Sequence, residues 1–118
     1  MLVAAATAAA AGAPLHGAFT TVIKHATDSQ LDGTWRVRLL ATGHYTIDRD
    51  GTVLVRGRDT ETATTITFGH ETGPAACTGP AAGYKWSFRA GLLHLTELHE
   101  SCYGRHIVLT THPLLKTG

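Results

Sequence analysis

The chain has little charge, little cysteine and no long apolar run. Only 16% of its 118 residues are charged, ten Lys and Arg against nine Asp and Glu, for a formal charge of +1. Phosphate polymers are held by clustered Lys and Arg, and no basic stripe runs along the sequence, so nucleic acid is not expected as the partner. No stretch of about 20 apolar residues is present, which excludes a helical membrane span. His-Glu-x-x-His, Gly-x-Ser-x-Gly and Cys-x-x-Cys are all missing, so the sequence assigns no catalytic residue, no cofactor and no metal. What is present is 43% hydrophobic residues spread along the whole length, enough for one domain burying roughly two-thirds of its unfolded surface.

Residues 1–13 stand apart. Eight of the thirteen are alanine, and the run ends in Ala11-Gly12-Ala13 before Pro14. It reads as the remnant of an export signal, which lacks the usual basic start. An alanine-rich helix and an artefact of where the chain was started are the alternatives.

From Gly17 onward, runs rich in Val, Ile, Thr, Leu and aromatics are broken by Gly, Asp or Pro every eight to twelve residues, the spacing of an all-β barrel or sandwich. Eight strands are predicted, at 17–24, 34–40, 43–49, 52–57, 61–68, 83–89, 92–98 and 105–112. Polar segment 25–32 is compatible with one helical turn. No useful 3.6-residue pattern follows residue 16. Asp50-Gly51 and Ala90-Gly91 supply tight turns. A two-residue turn at Ala90-Gly91 pairs 89 with 92, so Tyr84, Trp86 and Phe88 oppose Glu97, Leu95 and Leu93 on one apolar face. Trp35, Val37 and Leu39 likewise share a face, with Arg36 and Arg38 on the other.

Gly33-Thr34-Trp35 opening an early strand, with Arg105 opening the last one, resembles the calycin barrels, which include lipocalins. Gly83-Tyr84-Lys85-Trp86-Ser87-Phe88 and Glu100-Ser101-Cys102-Tyr103-Gly104-Arg105 are more particularly similar to small lipocalin-like domains of bacterial secreted proteins. The resemblance covers residues 14–115. It implies an eight-stranded antiparallel barrel in which Gly33 and Trp35 are structural and the Arg105 guanidinium lies on the Trp35 ring, a cation–π contact. It implies no catalytic residues.

The same hairpin register carried outward places Cys77 opposite roughly residue 104, so Cys77 and Cys102 can meet at one barrel end. A disulfide there implies an oxidising, secreted or cell-envelope setting, and two unpaired thiols in a reducing one are the alternative. Glu97 is expected to face inward beside Tyr84, either buried against Arg105 or standing with Tyr84 and Tyr45 as a polar handle of a cavity. Eight histidines are scattered; pairing 95 with 109 would bring His94 and His112 close on the outer face.

An eight-stranded interior is either filled by side chains or holds one small ligand. A small apolar or amphipathic molecule, lined by Trp35, Tyr45, Ile47, Phe68, Tyr84, Trp86, Phe88 and Glu97, is the first expectation. A filled barrel acting as an accessory module, or a small isomerase or cyclase using Tyr84, Tyr45 and Glu97, are the alternatives. Oligomeric state leaves no trace in the sequence.

Overall fold

Alternation of apolar and polar side chains builds the molecule strand by strand, because successive residues of a strand face opposite sides of a sheet. The computed structural model describes residues 15–118, so the segment 1–13 and all three readings of it lie outside the described residues. The strands are β1 (Gly17–Ile23), β2 (Gly33–Leu39), β3 (His44–Arg49), β4 (Thr52–Glu61), β5 (Thr65–Thr72), β6 (Ala82–Arg89), β7 (Leu92–His99) and β8 (Leu114–Lys116). A 3-10 turn, Ser29–Leu31, precedes β2, and one helix, α1 (Tyr103–Thr110), separates β7 from β8. Each strand pairs antiparallel with the next, and β8 pairs with β1 to close an eight-stranded barrel. Among the described residues no helix is long and apolar enough to cross a membrane.

The β6–β7 hairpin forms in the expected register, with Tyr84 opposite Glu97, Trp86 opposite Leu95 and Phe88 opposite Leu93. Trp35, Val37 and Leu39 are buried on the inner face of β2. Inward side chains from all around the wall meet at the barrel centre, where the Phe68 ring lies edge-on to Tyr45 at 5.1 Å and to Tyr84 at 5.9 Å. Such pairs add about 0.5–1.5 kcal/mol beyond the area they bury.

Two expectations are corrected. Residues 105–112 are not the final strand: Tyr103–Thr110 is helical, and the closing strand is Leu114–Lys116. The run Ile107-Val108-Leu109-Thr110 has the composition of a strand, yet Arg105, Val108 and Leu109 are the helix's buried residues, the i, i+3, i+4 spacing of one helical face. Tertiary burial outweighs local preference here. With it goes the pairing of 95 with 109 that would have joined His94 and His112; β8 instead pairs Leu114 with Leu93 and Leu115 with Leu92.

The second correction concerns the fourth and fifth strands. β4 runs on to Glu61 and β5 begins only at Thr65. The turn between them contains no glycine. The Thr62 hydroxyl accepts from the backbone N–H groups of Thr64 and Thr65 and folds the chain back locally.

Antiparallel order sorts the connections between the barrel's two ends. The 24–32 connection, the turn at 50–51, the 73–81 connection and the 100–113 segment carrying α1 cluster at one, here the helix end. The other has the short turns at 40–43, 62–64 and 90–91.

Candidate functional site

The helix end holds a buried ionic cluster that the sequence reading did not assemble. Arg105, on the inner face of α1, is 6% exposed. Its Nε and Nη2 grip Glu100 in a two-pronged pair, each at 2.8 Å, and its Nη1 lies 3.1 Å from Glu71. Both carboxylate side chains are 1% exposed. The Tyr84 hydroxyl donates to Glu100 at 2.5 Å, and the Tyr45 hydroxyl donates to Glu71. Backbone amides complete both carboxylates: the Cys77 N–H donates to Glu71 at 2.8 Å, and the Cys102 N–H donates at 2.9 Å to the Glu100 oxygen that also accepts from Arg105 Nη2. Cys77 and Cys102 are joined by a disulfide, as expected, with Cα atoms 6.1 Å apart.

Each glutamate thus takes one tyrosine, one edge of the guanidinium and one amide of the disulfide. Burial of charge is costly unless every lone pair is used, and here the donors are supplied in matching sets. Burial alone would raise the Glu100 carboxyl, but the hydrogen bonds from Arg105, Tyr84 and the Cys102 amide outweigh it and hold the group below the usual carboxylate range. Burial would also lower Arg105, and Glu100 and Glu71 reverse that, so the guanidinium stays charged. Both phenols are driven far up, first by burial and then by the carboxylates that accept from them. No member of the cluster is left as a free base or nucleophile. The chemistry of the arrangement is that of a clamp.

A bulge places Glu71 in it. Arg56 pairs with Thr72 and Arg58 with Gly69, so β5 carries one more residue than β4 over this span. The surplus lets Glu71 turn inward while its neighbour His70 remains exposed, with a positive φ of 53°. On β4 opposite, Gly57 lies flat under Tyr45: a Cβ there would sit 2.6 Å from the phenol oxygen. Without that bare backbone the tyrosine cannot reach Glu71.

The predicted residues divide as follows. Trp35, Tyr45, Ile47, Phe68 and Tyr84 are all at most 5% exposed and belong to the core. Trp86 and Phe88 are only partly buried; the Trp86 indole donates to the Thr62 carbonyl at 3.0 Å, and Phe88 stands edge-on to Phe19. Glu97 is corrected. It is exposed, and its Oε1 lies 2.7 Å from Nδ1 of His106 on α1. An extra residue, Leu98, enters between the pairs Gly83–His99 and Tyr84–Glu97 and turns the end of β7 away from the interior. At the helix end the inward acids are Glu71 and Glu100 instead.

The expected contact between Trp35 and Arg105 is corrected too. Arg49 of β3 lies over the Trp35 ring, 5.7 Å from its centre, and the indole N–H donates to the Leu31 carbonyl at 2.8 Å. Gly33 is structural in a specific way: its φ of 141° is one that residues with a side chain rarely adopt, and a Cβ there would come within 3 Å of the Arg49 and Asp50 side chains, which would have to shift.

Trp35 and Arg105 nevertheless line one common cavity, with Ile47, Val55, Val108, Glu71 and the disulfide. Its volume is about 80 Å³, space for two or three waters at about 30 Å³ each. Small-molecule pockets commonly hold about 300–1,000 Å³.

Fold and site together define a closed eight-stranded antiparallel barrel whose helix end is sealed by an ionic clamp and a disulfide. No protein-family model, curated protein or solved structure matches the chain.

Proposed function

We propose that the chain is a non-catalytic binding barrel, filled within and engaging its partner on the outer wall or rim. The observation that carries this reading is the interior cavity of about 80 Å³, well below the roughly 300 Å³ at which ligand pockets begin. Tyr45, Phe68 and Tyr84 occupy the space a lipocalin ligand would need. The groups that a cyclase would use are already engaged: the Tyr45 and Tyr84 hydroxyls donate to Glu71 and Glu100, and Glu97 lies against His106. Titration with an apolar fluorescent probe and a lipid panel tests it: Trp35 emission should show no saturable change, and a saturable change would overturn the filled-barrel reading.

The cavity wall supports a second reading, a small apolar or amphipathic molecule held beneath α1. Trp35, Ile47, Val55 and Val108 supply an apolar lining, with two polar groups at one side. Such a ligand has only a few heavy atoms unless α1 shifts. The barrel architecture supports kinship with the lipocalin-like group, and the Cys77–Cys102 bridge supports an oxidising, secreted or envelope setting.

A further inference from the structure

The outer wall of β3, β4 and β5 gathers cations that are far apart in the sequence. Val55, Gly57 and Asp59 of β4 are buried, so the alternate residues Arg56 and Arg58 stand outside, both exposed. In the register, His44 sits beside Arg58, and Thr46 and Thr72 flank Arg56 on either side. These residues and His70 line one concavity of about 340 Å³, and no carboxylate is among its lining residues. Of the acids close by in sequence, Glu71 points inward to Arg105, Asp48 pairs with Arg36 on β2, and Asp59 is buried on the inner side of β4. Among the described residues no ion pair involves Arg56 or Arg58.

We propose that this concavity is a binding site for a phosphate-class oxyanion, held by the Arg56 and Arg58 guanidinium groups with the Thr46 and Thr72 hydroxyls and the His44 and His70 rings around them. Guanidinium groups match tetrahedral oxyanions through paired N–H donors, and two of them spaced about 7 Å along a strand can share one di- or polyphosphate. The left-handed backbone at His70 fits this assignment. It keeps an imidazole at the rim of the concavity where the bulge has already turned the neighbouring residue inward. The volume lies at the lower end of the range for ligand-sized concavities, suiting a small phosphorylated molecule rather than a lone ion. The proposal deepens the outer-wall reading above and rests on it.

The test is a calorimetric titration of the full chain, disulfide intact, with inorganic pyrophosphate. Saturable binding is expected, weakening severalfold between about 50 and about 300 mM salt as the screening length falls from about 14 to about 6 Å. Arg56→Gln and Arg58→Gln should each weaken binding about tenfold with the thermal midpoint unchanged, since both side chains are exposed. Arg89→Gln, outside the concavity, should bind as the parent chain does. Vesicles containing phosphatidylglycerol separate the sources of the same chemistry. Co-sedimentation lost in Arg56→Gln assigns the oxyanion to a lipid headgroup, and pyrophosphate binding without co-sedimentation assigns it to a soluble ligand. No saturable heat with pyrophosphate, or unchanged affinity in the double variant, overturns the site. Those results leave the apolar-probe titration of the interior untouched, so the two readings fail separately.

Discussion

Replacing Arg105 by methionine removes the one cation between two carboxylates whose side chains are each 1% exposed. The tyrosine and amide donors remain, but two negative charges are then buried together without a counter-charge. Removing one partner of a buried ion pair costs about 3–5 kcal/mol. The cost has a ceiling set by protonation. Taking a proton onto a glutamate of ordinary pKa, about 4.3, costs about 3.5 kcal/mol at pH 7 and about 1 kcal/mol at pH 5. Adding about 1 kcal/mol for the lost hydrogen bonds, Arg105→Met should lose about 4–5 kcal/mol at pH 7 and about 2 at pH 5. Domains of ordinary stability have about 5–15 kcal/mol in all. The assay is equilibrium urea unfolding followed by tryptophan emission, with the disulfide intact, at both pH values. Glu71→Gln and Glu100→Gln added to Arg105→Met should restore much of the loss, because no buried charge is left uncompensated. A penalty below about 1 kcal/mol at pH 7, or an equal one at the two pH values, would refute the claim that the clamp is a charge-balanced unit.

Reducing the Cys77–Cys102 bridge, which spans 25 residues, should cost about 3.5 kcal/mol by the loop-entropy relation; urea midpoints with and without dithiothreitol check it. At the opposite end of the barrel, burial and the neighbouring Asp59 push the Glu61 carboxyl up to about 7. An acid raised in the folded state binds more protons there than when unfolded, so stability is full below the unfolded value and falls as pH rises through about 7. Glu61 is partly exposed, and solvent screening reduces the loss to about 1 kcal/mol; Glu61→Gln should flatten the difference between urea midpoints at pH 5 and pH 8. Gly57→Ala should destabilise by about 2–3 kcal/mol, since the new methyl meets the Tyr45 phenol and the Gly69 carbonyl oxygen. An unaltered thermal midpoint in that variant would contradict the packing described for Tyr45.

The hairpin from Tyr84 to Leu95 was legible because a two-residue turn fixes register and the side chains alternate cleanly about it. The disulfide followed from extending that register. Three things were hidden, each for a physical reason. The α1 face is read by apolar spacing, and its first buried member is an arginine, which no such count includes. The β4–β5 turn is made by a threonine hydroxyl within a threonine-rich stretch, where composition marks no boundary. Glu97 faces outward against expectation, and Glu71, for which no side was expected, faces inward, because each lies beside an irregularity in pairing, and inserting one residue reverses which way the neighbouring side chains face. The outer-wall cluster was hidden for the same kind of reason: only the sheet register brings His44 beside Arg58 and Thr46 and Thr72 beside Arg56.

The closing strand has a consequence for how the molecule assembles. β8 contributes three residues and meets β1 across a sequence interval of nearly the whole domain; the Thr20 and Thr117 hydroxyls, 97 positions apart, lie at 2.9 Å. The seven preceding strands can zip up neighbour by neighbour, whereas this seam forms only after everything else is in place. Hydrogen exchange should therefore find the least protected barrel amides at Phe19, Thr20 and Leu114–Lys116, and opening there would unroll the cylinder into a sheet with two bare edges.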